Sequence, residues 1–275
     1  MANQVKDDAA VRDTSDWMAA IRHRESQRAD AYLVDQFAHL LAGRPEEELV
    51  ARLEAIGGPS EVVLTRGRIG DGLIASALAD GVRQVAILAA GSDTRAWRLN
   101  LASATVFELD LPGQVEAKIA TLAYAGGRPT GRHVAVDADL RDDWVPAILK
   151  AGLAAERRTI WLVEGLFYYF TPAASDRLLR DLSAISPPGS RLALDVPHTG
   201  YASRPANAEF LAYMAERGSP FVGAVADPIG WLAGHGWAAE AYLAGELRGC
   251  RLVPAPPQRL VHPERPIWHV VARRT

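Results

Sequence analysis

Five short apolar runs, each followed by a stretch able to wind into a helix, constrain this chain more than any other feature. They span residues 82–89, 105–109, 133–136, 158–163 and 191–194. Apolar runs of this length, alternating with helical periodicity, describe parallel strands buried on both faces and covered by crossover helices. Four of them finish on a carboxylate: Asp110, Asp137, Glu164 and Asp195. In an open α/β sheet, ligands sit beyond the carboxyl ends of the strands. The acids therefore gather where a site is expected.

The flanks follow other periods. From Trp17 to about Leu41 apolar residues recur at three- and four-residue steps among many charges, a pattern of amphipathic helices laid against a partner surface. The residues before Trp17 look loose, 46–56 forms a short helix, and 69–78 is helical before the first run. Residues 197–228 carry Gly, Pro, Tyr, His and Phe between two helical stretches and are expected to cap the strand ends. A strand at about 239–243 and a terminal one within 266–272 complete the chain. The expected organisation is one domain: a helical N-terminal cap (1–65), a cofactor-binding core (66–196), a lid insertion (197–228) and a C-terminal end of the sheet (229–275).

Composition serves mainly to exclude. Of 275 residues, 49% are hydrophobic and 23% charged, ordinary for a compact soluble protein. The formal net charge of -3 offers no basic field for nucleic acid. Runs such as Val85 to Ala90 are far too short to span a bilayer, and the polar, acidic start lacks the apolar core of a secretory signal. Cys250 stands alone, so no internal disulfide can form, which suits the cytoplasm. No His/Cys/Asp cluster has metal-ligand spacing, and no metal is expected. The sequence leaves the number of copies open, a homodimer included.

Leu88-Ala89-Ala90-Gly91-Ser92-Asp93 is a strand running into a turn of small residues, where backbone can come close to a nucleotide. A tight strand-to-helix turn would look the same. Asp110 lies nineteen residues beyond Gly91 at the end of the next run, placed to accept both hydrogens of a ribose diol. Glu108 competes for that role. The turn lacks the three-glycine fingerprint of dinucleotide binders, so a nucleoside without phosphates fits better. Asp139 with the backbone of Leu140 offers an edge for adenine, unless Asp137 and Asp139 only cap the following helix. Glu164, between a buried run and Leu166-Phe167-Tyr168-Tyr169-Phe170, could hold an ammonium or line the adenosine pocket.

The blocks Arg24-Glu25-Ser26, Asp35-Gln36-Phe37-Ala38, Thr65-Arg66-Gly67-Arg68, Ala90 to Arg95 with Trp97-Arg98-Leu99, Phe107 to Pro112, Asp139-Leu140 with Trp144, and Glu164 to Thr171 stand in a specific order and spacing. Together they resemble the leucine carboxyl methyltransferase family, which includes bacterial O-methyltransferases of secondary metabolism. The resemblance implies a Rossmann-like, doubly wound, mostly parallel seven-stranded sheet whose late strands pair antiparallel at its edge. It implies S-adenosyl-L-methionine as cofactor, with Arg66 on the methionine carboxylate, Arg24 at a basic cofactor contact and Gly91 beside the methionine portion. Asp110 matches the ribose acid, Asp139 and Leu140 the adenine edge, Glu164 the acid after the fourth strand, and Tyr169 a tyrosine near the acceptor. Ala89 departs from a glycine usual in that loop.

Methyl transfer from a sulfonium is an in-line displacement, so positioning is the main task. A carboxylate acceptor needs no base, whereas a phenol benefits from one. His198, just past the fifth run, is the candidate base, and a solvated loop histidine is the alternative. The expectation is O-methylation of a carboxylate or phenolic hydroxyl on a small metabolite. Rival readings are a protein C-terminal carboxylate as acceptor, a binding module without catalysis, and a nicotinamide-dependent reductase.

Overall fold

A strand buried on both faces must send alternate side chains to opposite layers, and the sheet is assembled on that rule. The structure, a computed structural model, describes residues 8–43 and 46–275. Four helices come first: α1 (Asp8–Ser26), the single turn α2 (Ala38–Leu41), α3 (Glu46–Ala55) and α4 (Ser60–Ala79). The alternation then runs β1 (Gln84–Leu88), α5 (Arg95–Arg98), β2 (Thr105–Asp110), α6 (Gln114–Tyr124) and β3 (Arg132–Asp137). It continues through α7 (Val145–Lys150), β4 (Thr159–Val163), α8 (Pro172–Ala184) and β5 (Arg191–Pro197). Last come α9 (Ala208–Glu216), α10 (Pro228–Ala233), β6 (Trp237–Tyr242) and β7 (Ile267–Arg274).

The strands form one seven-stranded sheet in the order β3-β2-β1-β4-β5-β7-β6. The first five are parallel, and β7 runs antiparallel to both of its neighbours. Strand order reverses between β1 and β4, which opens a crevice above their carboxyl ends. Leu88, Leu109, Trp161 and Leu194 face one layer, against Leu178, Leu179 and Leu182 of α8 and Ile148 of α7. Val85, Ile87, Val106 and Leu162 face the other, against Leu73, Ile74 and Ala77 of α4 and Leu122 of α6. Each such side chain, fully buried, stabilises the fold by about 1.5–3 kcal/mol. The start of α8 is fixed by Thr171, whose hydroxyl accepts the Ala174 N–H, with Pro172 at the first helical position.

A third cluster joins Trp17 and Ile21 of α1, Leu53 of α3, Val63 and Leu64 of α4, and Phe210 and Met214 of α9. It holds the N-terminal helices and the segment after β5 together beside the crevice.

Several sequence expectations are corrected here. Helix α1 begins at Asp8, ahead of Trp17; Ala9 and Ala10 favour a helix there, and residues 1–7 lie outside the described residues. The boundary expected between 65 and 66 falls inside α4, because Val62, Val63 and Leu64 are as buried as the residues that follow. The late strands, by contrast, pair antiparallel at one edge of the sheet as the resemblance implies, with β7 inside and β6 outermost. Their burial agrees with this, since β7 keeps Ile267, His269 and Val270 inside whereas β6 is largely accessible. No helix among the described residues is long and apolar enough to cross a membrane.

Candidate functional site

Every strand end at the crevice presents a polar group, and the turn after β1 sets the first. Ala89 has φ +53°, the only positive value for a non-glycine among the described residues, and Gly91 follows at φ +43°. The left-handed conformation costs an L-residue roughly 1–2 kcal/mol. A Cβ on Gly91 would stand 2.8 Å from Ser15 Oγ of α1, so the turn lies close against that helix, and the positive φ favours glycine there. The Gly91 N–H donates to Asp110 Oδ2 at 2.7 Å and the Leu111 N–H to Oδ1 at 2.8 Å. A carboxylate has about four lone-pair sites, so Asp110 can still accept from a ligand. Burial raises its pKa above the ordinary value, while the two N–H groups oppose that shift.

Arg95, nearly fully buried, forms the floor. Its Nε donates to Asp71 at 2.8 Å, Nη2 to the Gly67 carbonyl at 2.8 Å and to Glu164 Oε1 at 2.9 Å, and Nη1 to Asp93. Burial lifts the Glu164 pKa although Arg95 and Arg66 pull it down, whereas Asp93 is drawn to about 2 against its own burial by Arg95, Lys118 and Arg98. Glu164 thus enters the cleft as a carboxylate already engaged by a guanidinium.

Arg66 projects from α4 into the same space. Its Nη1 donates to Asp195 Oδ2 at 3.0 Å. Asp195, at the end of β5, also accepts the Gly165 N–H at 2.7 Å and the Tyr168 hydroxyl. Gly165 has φ +70°, and a Cβ there would meet the Arg66 guanidinium at 2.9 Å, so this glycine makes room for the arginine. Arg22 reaches the cleft from α1, donating to Asp35 at 2.9 Å and to the Ser92 carbonyl at 2.6 Å. Asp35 also accepts from Thr94 at 2.7 Å, which ties α1 to the turn after β1.

The cleft so formed is lined by Trp17, Met18, Arg22, Arg66, Gly91, Asp93, Asp110, Glu164, Tyr168, Tyr169, Phe210 and Phe221, among others. A second cavity beside it is lined by Asp139, Leu140, Arg141, Phe170 and Ser219. Ala89, Asp110, Leu166 and Tyr169 belong to both walls. Asp139 itself accepts the Arg141 N–H at 2.9 Å and pairs with that guanidinium.

The structure therefore brings together Arg66, Gly91, Asp110, Glu164 and Tyr169 in one cleft, with Asp139 and Leu140 in the adjoining cavity. Two candidates are set apart. Arg24 pairs with Glu54 and lines a different, outward cavity. Two helical residues subtend about 200°, so Arg22 takes the inner face of α1 and Arg24 the outer. His198 lines neither the cleft nor the adjoining cavity; its Nδ1 accepts the Gly200 N–H at 2.8 Å and its ring lies 5.6 Å from that of Trp268. Glu108, the competitor of Asp110, is fully buried against Lys118 and His133. The sequence reading gave no role to Arg22, Arg95 or Asp195, although Asp195 carried the same strand-end signal as Asp110. Among the described residues no group of three or more His, Cys, Asp or Glu side chains could hold a metal ion.

A model of the leucine carboxyl methyltransferase family matches residues 16–183, which run from within α1 through the ends of β1 to β4 and into α8. The chain belongs to the leucine carboxyl methyltransferase family. A relative from Mycobacterium marinum, named as an S-adenosyl-L-methionine-dependent methyltransferase, is 35% identical over 90% of this chain and 93% of its own. Another of that name, from Mycobacterium sp. strain JLS, is 38% identical over 206 residues, 68% of this chain and 67% of its own. Among solved structures, a DUF574 family protein from Streptomyces avermitilis superposes with a TM-score of 0.60 at 17% identity, covering 94% of this chain and 97% of that one. An O-methyltransferase family protein from Burkholderia thailandensis gives 0.52 at 16% identity, covering 96% and 70%. These two share the fold. The protein is an S-adenosyl-L-methionine-dependent methyltransferase.

Proposed function

We propose that this methyltransferase esterifies the carboxylate of a small apolar or aromatic acid, an O-methylation of the kind found in secondary metabolism. The donor set supports the cofactor's place. Asp110 is suited to the ribose diol, Asp139 and the Leu140 N–H to the adenine edge, Glu164 to the ammonium and Arg66 to the carboxylate of the methionine portion, with Gly91 alongside. When bound, S-adenosylmethionine supplies an electrophilic methyl group on a sulfonium, open to in-line attack.

One observation carries the choice of acceptor: the cleft is lined by Trp17, Tyr168, Tyr169, Phe210 and Phe221, and no histidine is among its described lining residues. Its acids are already engaged, Glu164 and Asp93 by Arg95 and Asp110 by two backbone N–H groups. Burial pushes the Tyr169 hydroxyl up to about 12, which keeps it a donor near neutral pH. A site of this kind orients an acceptor that is already ionised and offers a phenol nothing to take its proton. The aromatic walls favour a flat, apolar body and exclude water. The lone, buried Cys250 fits a cytoplasmic setting.

The test is methyl transfer from labelled cofactor to a panel of aryl and alkenyl carboxylic acids, to the matched phenols, and to peptides ending in leucine. Methyl esters of the small acids, formed at a rate nearly constant from pH 6 to 9, are expected. Turnover of phenols alone, rising with pH, would overturn the base-free reading, and turnover of peptides alone would move the acceptor class to a protein end.

A further inference from the structure

The strip of chain after α9, residues 218–223, runs between the two cavities of the crevice. Pro220 and Val222 line the cavity that holds Asp139 and Leu140, whereas Phe221 between them lines the cleft. Successive side chains of an extended segment leave on opposite sides, and here that alternation sends one ring into the cleft wall. The strip is anchored by its backbone. The Ser219 N–H donates to the Met214 carbonyl at 2.9 Å, and the Val222 and Gly223 N–H groups both donate to the Tyr168 carbonyl, at 2.8 and 3.0 Å. A Cβ on Gly223 would stand 1.8 Å from the Phe167 carbonyl oxygen, so backbone lies directly on backbone there. None of these bonds uses the Phe221 side chain.

The Phe221 ring stands edge to face among other rings. Its centroid lies 4.9 Å from that of Tyr168, 5.5 Å from Tyr169 and 5.7 Å from Phe210, at interplanar angles of 67°, 88° and 83°. Tyr168 and Phe210 are buried, whereas Phe221 and Tyr169 keep accessible surface. All four line the cleft. Surroundings relax only partly around a deleted ring, so truncating Phe221 would leave a gap of about phenyl size, walled by the other three and open to the cleft. We propose that Phe221 sets the size of the methyl acceptor: it fills the apolar end of the cleft, so that the enzyme takes a one-ring body and turns away a two-ring one, which would force the packed rings apart. This role rests on the reading of the cleft as the acceptor pocket given above.

The test compares kcat/KM for wild type, Phe221→Leu and Phe221→Ala over matched carboxylic acids, phenols and peptides. Each series is stepped from one ring to two, in its body or in its terminal side chain, and S-adenosylhomocysteine affinity is measured alongside. The class that is methylated tests the earlier reading; the change of size preference within that class tests this one. Wild type should favour one ring. Phe221→Ala should raise the two-ring to one-ring ratio roughly 10- to 100-fold, with Phe221→Leu moving it less in the same direction and S-adenosylhomocysteine affinity unchanged in both. A wild type indifferent to size, or a ratio unmoved in the variants, would overturn the proposal. So would an equal loss for all sizes together with lost S-adenosylhomocysteine affinity, which would mark a displaced strip. If the alanine variant fails to fold, the leucine variant decides by the same ratio.

Discussion

Both oxygens of Asp110 accept a backbone N–H, from Gly91 and from Leu111, so the carboxylate shapes the turn after β1 as well as facing the crevice. Asp110→Asn keeps the size but sets an amide hydrogen against one of those donors and removes the charge. A hydrogen bond to a charged group is worth about 1.5–3 kcal/mol. Calorimetric titration should therefore show S-adenosylhomocysteine affinity reduced roughly 10- to 100-fold in a folded protein. Arg66→Ala should differ in kind. It would leave Asp195, which is fully buried, without its cation, and breaking such a pair costs about 3–5 kcal/mol. Both weaker cofactor binding and a lower melting temperature are expected, and a variant that loses affinity with an unchanged melt would contradict this account. At this scale the sequence was informative wherever a strand end fixes direction, as at Asp110 and Glu164. It could not orient His198, the candidate base, because a residue beyond a strand end in an irregular segment has no periodicity to direct it.

Helix α1 shows what an element adds to its residues. Arg22 and Arg24 are near neighbours in sequence, yet only Arg22 faces the turn after β1. Which face of an amphipathic helix turns inward depends on the partner surface, here Leu53, Val63, Phe210 and Met214, and that surface is assembled from distant segments. Burial would raise the Asp35 pKa, but Arg22 and Arg98 hold it below the usual carboxylate range. Removing Arg22 strands that charge. Arg22→Ala is expected to lower stability in urea by about 3–5 kcal/mol, whereas Arg24→Ala, which breaks an exposed pair, should change it by no more than about 1 kcal/mol. The reverse order would sink the assignment of the inner face. The strands were legible as elements because parallel strands buried on both sides need unbroken apolar runs, as in Gln84–Leu88 and Thr159–Val163. The start of α4 was not, because the burial of Val62 and Val63 is created by the aromatic cluster of the cleft and not by any local signal.

Across the whole molecule, one buried histidine links the helical layer to the sheet. His269 of β7 bonds Thr65 of α4 at 3.1 Å and lies near Asp195 and Arg66. Burial lowers its pKa to about 4. An unfolded histidine titrates near 6.5, so between roughly pH 6.5 and 4 the unfolded chain binds a proton that the native protein refuses. Its contribution is complete above pH 6.5 and falls by about 1.4 kcal/mol per pH unit through that window. Denaturation at pH 7 and pH 5 should show wild type losing more stability than His269→Gln on acidification; equal losses would remove His269 from the acid response. The overall topology carries a further consequence, for the order of synthesis. Strand β7 is made after β6 yet lies between β5 and β6, so a nascent chain halted at residue 260 would present two raw sheet edges at once. The protein cannot zip its sheet from one end as it leaves the ribosome; it must wait for residues 267–274 to be threaded into the gap, and clipping those eight would split the sheet, not shorten it.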